Sequence, residues 1–233
     1  YLFIGAFMKK IAVLGSGITG VTTAYQLSKK GYDVTVFDKE RYPGMETSYA
    51  NGGQLSASNS EVWNSWKTVS QGIKWLMKND APLLINPKPS IHKFTWLMSF
   101  ISNIPNHKNN TIATAKMAIE SRKEFNRIVS DEKLEIDLIK RGILHLCHTK
   151  ENFDYGIKIN KWLNEAGLDR HPISIGEIKK IEPTINIKNV YGGFYTKSDM
   201  TGDIHLFTKQ LSKVCMKNGV KFNFRSYVKN IKH

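Results

Sequence analysis

The sequence predicts an α/β fold in two parts, a discontinuous domain built on a parallel sheet and an inserted α+β domain. Three observations carry this expectation. Three glycines separate a short apolar run from an amphipathic stretch near the start, in "KKIAVLGSGITGVTTAYQLSKKGYDVTVFDKE". A polar, Gly-rich segment, "ETSYANGGQLSAS", then stands where the next sheet-building unit is due. Near the end, "NVYGGFYTKSDMTGDIHLF" and "GVKFNF" restore a strand, helix, strand order.

The run Ile11 to Leu14 is short, apolar and bounded by Gly15, the pattern of a buried parallel strand. Glycines follow at 15, 17 and 20. Gly15 suits a tight turn, Gly17 lets backbone approach a pyrophosphate, and Gly20 lets a helix pack closely on the strand. That helix, about Ile18 to Lys30, places Val21, Ala24, Tyr25 and Leu27 on the sheet side and ends at Gly31. Its N-terminal amides would face phosphates. A second strand, Asp33 to Phe37, leads into Asp38, whose carboxylate can accept from the hydroxyls of an adenosine ribose. This is a Rossmann-like, dinucleotide-binding pattern. Asp38 argues against NADP, whose extra phosphate it would repel, and leaves NAD and FAD open.

An NAD-type domain would continue with a crossover helix and a third strand. Here "RYPGMETSYANGGQLSAS" offers a Pro43-Gly44 turn signal, hydroxyls at Thr47 and Ser48, the Asn51 amide, and backbone amides at Gly52, Gly53 and Gln54. Such groups can bond a second phosphate or an isoalloxazine edge at close range. Together with "GSGITG", "VTVFDKE", "SDMTGDIHLFTKQL" and "GVKFNF", this loop resembles the N-terminal half of the FAD-dependent D-amino acid dehydrogenase small subunit, within the wider D-amino acid oxidase and glycine oxidase group.

The resemblance runs from Met8 to the end of the chain. It implies that Gly15, Ser16, Gly17, Ile18, Thr19 and Gly20 hold the FAD pyrophosphate, and that Asp38, with Lys39 beside it, holds the adenosine ribose. It also implies that Ser48, Asn51, Gly52, Gly53, Gln54 and Leu55 line the flavin, and that Val228 touches the adenine through its backbone. The activity implied is oxidation of D-amino acids to 2-oxo acids and ammonia, with hydride transfer to flavin N5 and electrons passed to a quinone of the respiratory chain. A glycine or sarcosine oxidase of the same fold is the nearest alternative, and an NAD-binding dehydrogenase the next. An Arg for the substrate carboxylate is expected beyond His233, so no residue is assigned as catalytic.

Between the two sheet-building stretches, residues 61–130 read as mostly helical. "VSQGIKWLMKN" and "HKFTWLMSFISNI" combine aromatic and aliphatic side chains with basic flanks, separated by the Pro-broken "APLLINPKP". These side chains either pack within the inserted domain or lie on a membrane surface. A longer helix, about Thr111 to Ser130, carries Ala115, Ala118, Phe125 and Val129 at helical spacing. "RGILHLCH" reads as a strand with His145 and Cys147 on one face, an arrangement that sends His145 and His148 to opposite faces and argues against a metal. "ENFDYGIKINKWLNEAG" is an amphipathic helix, and Ser174 with Glu177 has capping-box spacing. Asp203 opens a helix with Ile204, Phe207, Leu211 and Val214 on one face. The expected domains are therefore 8–60 with 196–233 for FAD and 61–195 for substrate.

Composition narrows the function classes. With 41% hydrophobic residues in 233, the chain can bury a core. The +14 charge comes from 28 Lys and 6 Arg spread along the chain, with no groove-reading motif, which argues against a nucleic-acid binder and fits a solvated or membrane-facing surface. Two cysteines, Cys147 and Cys215, suit a reducing, cytoplasmic compartment, with peripheral contact on the inner face of the plasma membrane as a further expectation. "YLFIGAF", residues 1–7, lacks the order of a signal peptide and reads as an upstream or non-native extension. The end, just after a strand, predicts that a C-terminal half is missing and that this piece alone is inactive.

Overall fold

The computed structural model describes residues 9–76, 80 and 88–231. The expectations for residues 1–7, for Met8 and for most of "APLLINPKP" fall outside the described residues. In chain order the elements are β1 (Lys10–Leu14), α1 (Ile18–Lys29), β2 (Asp33–Phe37), β3 (Gln54–Leu55), α2 (Trp66–Leu76), α3 (Ile91–Ser102) and α4 (His107–Asp131). They continue with β4 (Ile143–Cys147), α5 (Lys150–Glu165), β5 (Arg170–Ile173), α6 (Ile175–Ile181), β6 (Gly192–Thr196), β7 (Met200–Thr201), α7 (Ile204–Lys217) and β8 (Lys221–Asn223).

Two compact units result. The first comprises Tyr1–Leu55, Lys123–Lys140 and Met200–His233, and the second Ser56–Arg122 and Arg141–Asp199. These limits differ from the 8–60, 61–195 and 196–233 division, chiefly at residues 123–140, which fall in the first unit. Phe125, Ile128, Leu134 and Ile136 are buried in that unit's core, with the Phe125 ring centroid 4.6 Å from that of Phe207. Ile139 then bridges Thr201. Nothing in the sequence of α4 changes character where one unit gives way to the other, because the helical period runs on unbroken.

In the first unit, β1, β2 and β8 form a parallel sheet in the order β1-β2-β8. Lys10 to Leu14 pair in register with Asp33 to Phe37, and Thr35 to Phe37 with Lys221 to Asn223. The middle strand is the β-branched run "DVTVF", which buries Val34 and Val36. Val21, Ala24 and Tyr25 of α1 share a core with Phe207, Leu211 and Cys215 of α7. The Tyr25 hydroxyl donates to Glu132 Oε1 at 2.6 Å, and Lys29 pairs with the same oxygen at 2.9 Å. The loop between β2 and α2 is less irregular than its composition suggests, since Gln54 and Leu55 pair antiparallel with Thr201 and Met200.

The second unit contains an antiparallel sheet in the order β4-β6-β5. Phe194 at its centre is fully buried, and a Cβ on Gly156 of α5 would stand 2.4 Å from its ring. A glycine inside that helix is thus a packing requirement, since it costs only about 1 kcal/mol of helix propensity. β5 has no counterpart in the sequence reading. It carries Pro172, which an edge strand tolerates because no ladder donor is needed there. The capping box at Ser174 and the Asp203 N-cap form as expected.

Helices α2 and α3 have no buried residue. Trp66, Ile73 and Leu76 of α2 and Ile91, Phe94, Met98 and Ile101 of α3 recur at helical spacing, yet are exposed, Ile91 at 85% and Phe94 at 65%. Among the described residues, packing within the inserted domain does not bury them. Among the described residues no helix is long and apolar enough to cross a membrane.

A Cβ on Gly20 would lie 1.9 Å from the Gly15 carbonyl oxygen, whereas one on Gly52 would meet only the Gln54 side chain, at 3.9 Å. Gly20→Ala is therefore expected to lower stability by about 1–3 kcal/mol or more, and Gly52→Ala by far less. Urea denaturation midpoints of the two variants measure the difference.

Candidate functional site

The turn from β1 into α1 borders a cavity of about 510 Å³ in the first unit. Gly15, at φ +96°, makes the turn and donates its N–H to the Phe37 carbonyl at 2.8 Å, locking the loop to β2. Gly17 precedes the helix without a capping side chain of its own. The cap comes from the distant loop instead: Ser48 Oγ accepts from the Ile18 amide at 3.0 Å. The amides of Thr19 and Gly20 have no intrahelical acceptor and sit at the positive end of α1, on the cavity wall. Free amides at a helix start, beside Gly15, Gly17 and Gly20, are the arrangement that can receive an anion.

Of the residues predicted to touch a cofactor, this cavity brings together Gly15, Gly17, Ile18, Thr19, Gly20, Ser48 and Asn51. Ser16, Asp38, Lys39, Gly52, Gly53, Gln54, Leu55 and Val228 lie outside its lining. Ser16 is buried and works through Asp38, donating its hydroxyl to Asp38 Oδ2 at 2.6 Å and its amide to the same oxygen. The Glu40 amide donates to Oδ1 at 2.8 Å. Burial alone would raise the Asp38 carboxyl, but these hydrogen bonds outweigh it and hold the group below its ordinary value. With three of about four acceptor sites used, Asp38 has capacity left for one further hydroxyl. The turn after β8 returns to it, with the Ser226 amide on the Asp38 carbonyl at 2.8 Å, and Val228 follows, exposed. Lys39 is drawn off to Glu46, at 2.6 Å.

The loop is held by its own polar groups. Asn51 Oδ1 accepts from the Gly53 amide at 2.8 Å and its Nδ2 donates to the Thr47 carbonyl at 3.3 Å. Gly53 is the glycine the loop cannot replace, since φ is +59° and a Cβ would stand 2.6 Å from the Gly202 carbonyl.

The second unit has a polar centre that sequence reasoning missed. Asp199, 1% exposed, accepts from the Ala57 amide at 3.0 Å, the Ser58 amide at 3.3 Å, Ser56 Oγ at 3.1 Å and Ser58 Oγ at 2.6 Å, and pairs with Arg122. Because Ser58 spends its single proton on Asp199, its contact with His145 Nε2 at 2.7 Å requires the histidine to donate, which assigns the Nε2–H tautomer. Burial, and then the Arg170 charge, push the His145 pKa down against a smaller opposing pull from Asp199. His148 bonds instead to the Asn189 carbonyl. Burial raises the Cys147 thiol and pushes Cys215 up to about 12, so neither is a thiolate near neutral pH. The polar turn "YTKSD" was the available signal for Asp199; nothing in the sequence pointed to Arg122 as its partner.

A profile of the FAD dependent oxidoreductase (DAO) family matches residues 10–233. The chain belongs to this family. A relative named D-amino acid dehydrogenase 3, from Mesorhizobium japonicum, is 52% identical over 224 residues, covering 96% of this chain and 54% of that protein. A D-amino acid dehydrogenase from Dechloromonas aromatica is 33% identical over 226 residues, again with 54% of its length covered. The chain thus spans about half the length of the curated relatives it matches. Among solved structures, glycine oxidase from Geobacillus kaustophilus superposes with a TM-score of 0.64 at 16% identity, over 94% of this chain and 47% of that one. L-proline dehydrogenase from P. horikoshii superposes with a TM-score of 0.65 at 19% identity, over 95% and 45%. These two show the fold alone; the family match gives FAD as the cofactor.

The lowered His145 pKa has a signed consequence. The unfolded chain takes up a proton near pH 6.5 while the folded chain stays neutral, so acidification through that pH removes stability, down to the depressed folded value. Melting temperatures from about pH 7.5 to about pH 5.5 should fall more steeply for the wild type than for His145→Gln, which keeps a donor and cannot titrate.

Proposed function

We propose that this chain is the cofactor-binding and substrate-domain part of an FAD enzyme that oxidises D-amino acids to 2-oxo acids and ammonia. The observation that carries the reading is the 52% identity to a D-amino acid dehydrogenase over nearly the whole chain, joined to a glycine-floored cavity at a helix N-terminus. The residues present fit the cofactor. Gly15, Gly17 and Gly20 offer backbone without side chains for a pyrophosphate, and Asp38 retains one acceptor site for an adenosine hydroxyl, beside Lys39. Ser48 and Asn51 to Leu55 form the polar, close-approaching segment for the flavin side, and Val228 offers backbone near the adenine.

FAD, when bound, takes up the two electrons and the hydrogen removed from the substrate Cα. The chain's own contribution is positional. The Thr19 and Gly20 amides neutralise phosphate charge, Ser48 holds the helix start against the loop, and Gly53 keeps the loop against Gly202. No described side chain is assigned as the acid or base. Assayed in the full-length protein, D-alanine with a quinone analogue should give turnover and glycine with oxygen should give little. The reverse result would replace this reading with a glycine oxidase, and a colourless purified protein would remove both.

We further propose that α2 and α3 rest on an anionic membrane surface, where a quinone acceptor resides. Two apolar stripes lie exposed beside Lys67, Lys74 and Lys93 in a chain of charge +14, the combination that holds an amphipathic helix at a lipid interface. Full-length protein should sediment with vesicles rich in phosphatidylglycerol and much less with phosphatidylcholine. Ile91→Gln combined with Phe94→Gln should cut that binding by about thirtyfold or more, since each exposed side chain contributes on the order of 1–2 kcal/mol. Equal sedimentation of variant and wild type would mean that these stripes meet something else.

Loop geometry selects the variant that tests flavin retention. Gly53→Val should lower the FAD-to-protein ratio of the purified full-length enzyme several-fold. Absorbance near 450 nm against protein content reads the ratio.

A further inference from the structure

The second unit contains an open cavity of about 480 Å³, within the range of small-ligand sites. Its wall includes Arg170, Phe194, Tyr155, Glu61, His145 and Cys147, all within the same unit. Arg170 is 7% exposed, and its guanidinium carbon lies 4.1 Å from the centroid of the Phe194 ring, so the group is held over the ring face. Its Nε and Nη1 are buried and have no hydrogen-bond partner.

The nearby carboxylates are committed elsewhere. Asp199 is occupied by Arg122, Ser58 and the Ala57 amide, and Glu61 Oε1 takes the Tyr155 hydroxyl and faces His107 at 3.2 Å. Among the described residues Arg170 is therefore a buried cation without an ion-pair partner, whereas the half-buried Arg122 of the same unit is paired. Burial lowers its pKa to about 10, which leaves it charged near neutral pH. A buried, uncompensated charge costs several kcal/mol. A planar guanidinium on a cavity wall, fixed by stacking, is the side chain best shaped to receive a carboxylate.

We propose that this cavity binds the carboxylate of an organic acid of amino-acid size, with Arg170 as the anion-binding residue. The inference does not rest on the FAD reading, since every residue it uses lies in the second unit.

Propionate and propionamide, equal in shape and different in charge, are the probes, and the full-length protein is the sample. Cys147 borders the cavity and Cys215 is buried, so alkylation by a small thiol reagent followed by mass spectrometry reports occupancy at the site itself. Propionate should slow modification of Cys147 by about tenfold and propionamide should leave it unchanged. Calorimetry should show Arg170→Met losing the preference for propionate and Arg170→Lys retaining a weakened one. Absence of Cys147 protection by propionate in the wild type overturns the proposal without any variant having to fold. So does an Arg170→Lys protein whose propionate affinity equals that of the wild type. Flavin absorbance, recorded on the same samples, decides the FAD reading separately.

Discussion

Gly15 and Gly20 touch where no side chain fits. A Cβ on residue 20 would overlap the Gly15 carbonyl, so α1 lies against the end of β1 at backbone contact distance. That approach sets the height of the helix above the sheet. From it follow the burial of Val21, Ala24 and Tyr25 against α7, the reach of Tyr25 to Glu132, and the presentation of the Thr19 and Gly20 amides to the cavity. Ser16 belongs to the same constraint. Because its hydroxyl and amide both end on Asp38, the glycine turn and the tip of β2 move as one piece. On the proposed reading a phosphate would be recognised by backbone here, and the side chains mainly keep that backbone in place.

The second unit is organised by charge. Asp199 collects two backbone amides, two hydroxyls and Arg122, so a carboxylate shut away from water is fully satisfied and the segment Ser56–Ser58 is pinned to the turn after β6. The proton order through Ser58 then fixes the tautomer of His145. Arg170 stands in contrast. Arg122 closes a network and Arg170 leaves one open, and an open donor on a cavity wall is what a ligand can close.

Legibility in the sequence followed the range of the forces involved. The β1, α1 and β2 limits agree with the sequence reading to within a residue, because apolar period, glycine placement and capping are local signals. The glycine cavity was legible for the same reason. Partners distant in sequence were not. The last part of α4 packs into the first unit through Phe125 and Phe207, a pairing across more than eighty residues that a helical period cannot announce. Strand β5 was hidden by its Pro172, and Arg170 looked like any solvent-facing basic residue until Phe194 and the cavity were seen beside it. Asp38 shows a subtler gap. Its type and distance from the glycines were readable, but its bonds to Ser16 were not, and these make it part of the scaffold as well as an acceptor.

Strand β1 is hydrogen-bonded on one side only among the described residues, with β2, and Lys10, Ala12 and Leu14 are exposed along it. A bare parallel edge is a template for a further strand, and such edges drive aggregation when they accept copies of themselves. The lysines at 9 and 10 guard this one. In-register pairing of two copies would set like charges side by side at the mouth of the strand, while a strand with a neutral or acidic start would meet no such repulsion. The edge thus discriminates by charge between a copy of itself and a strand of another sequence.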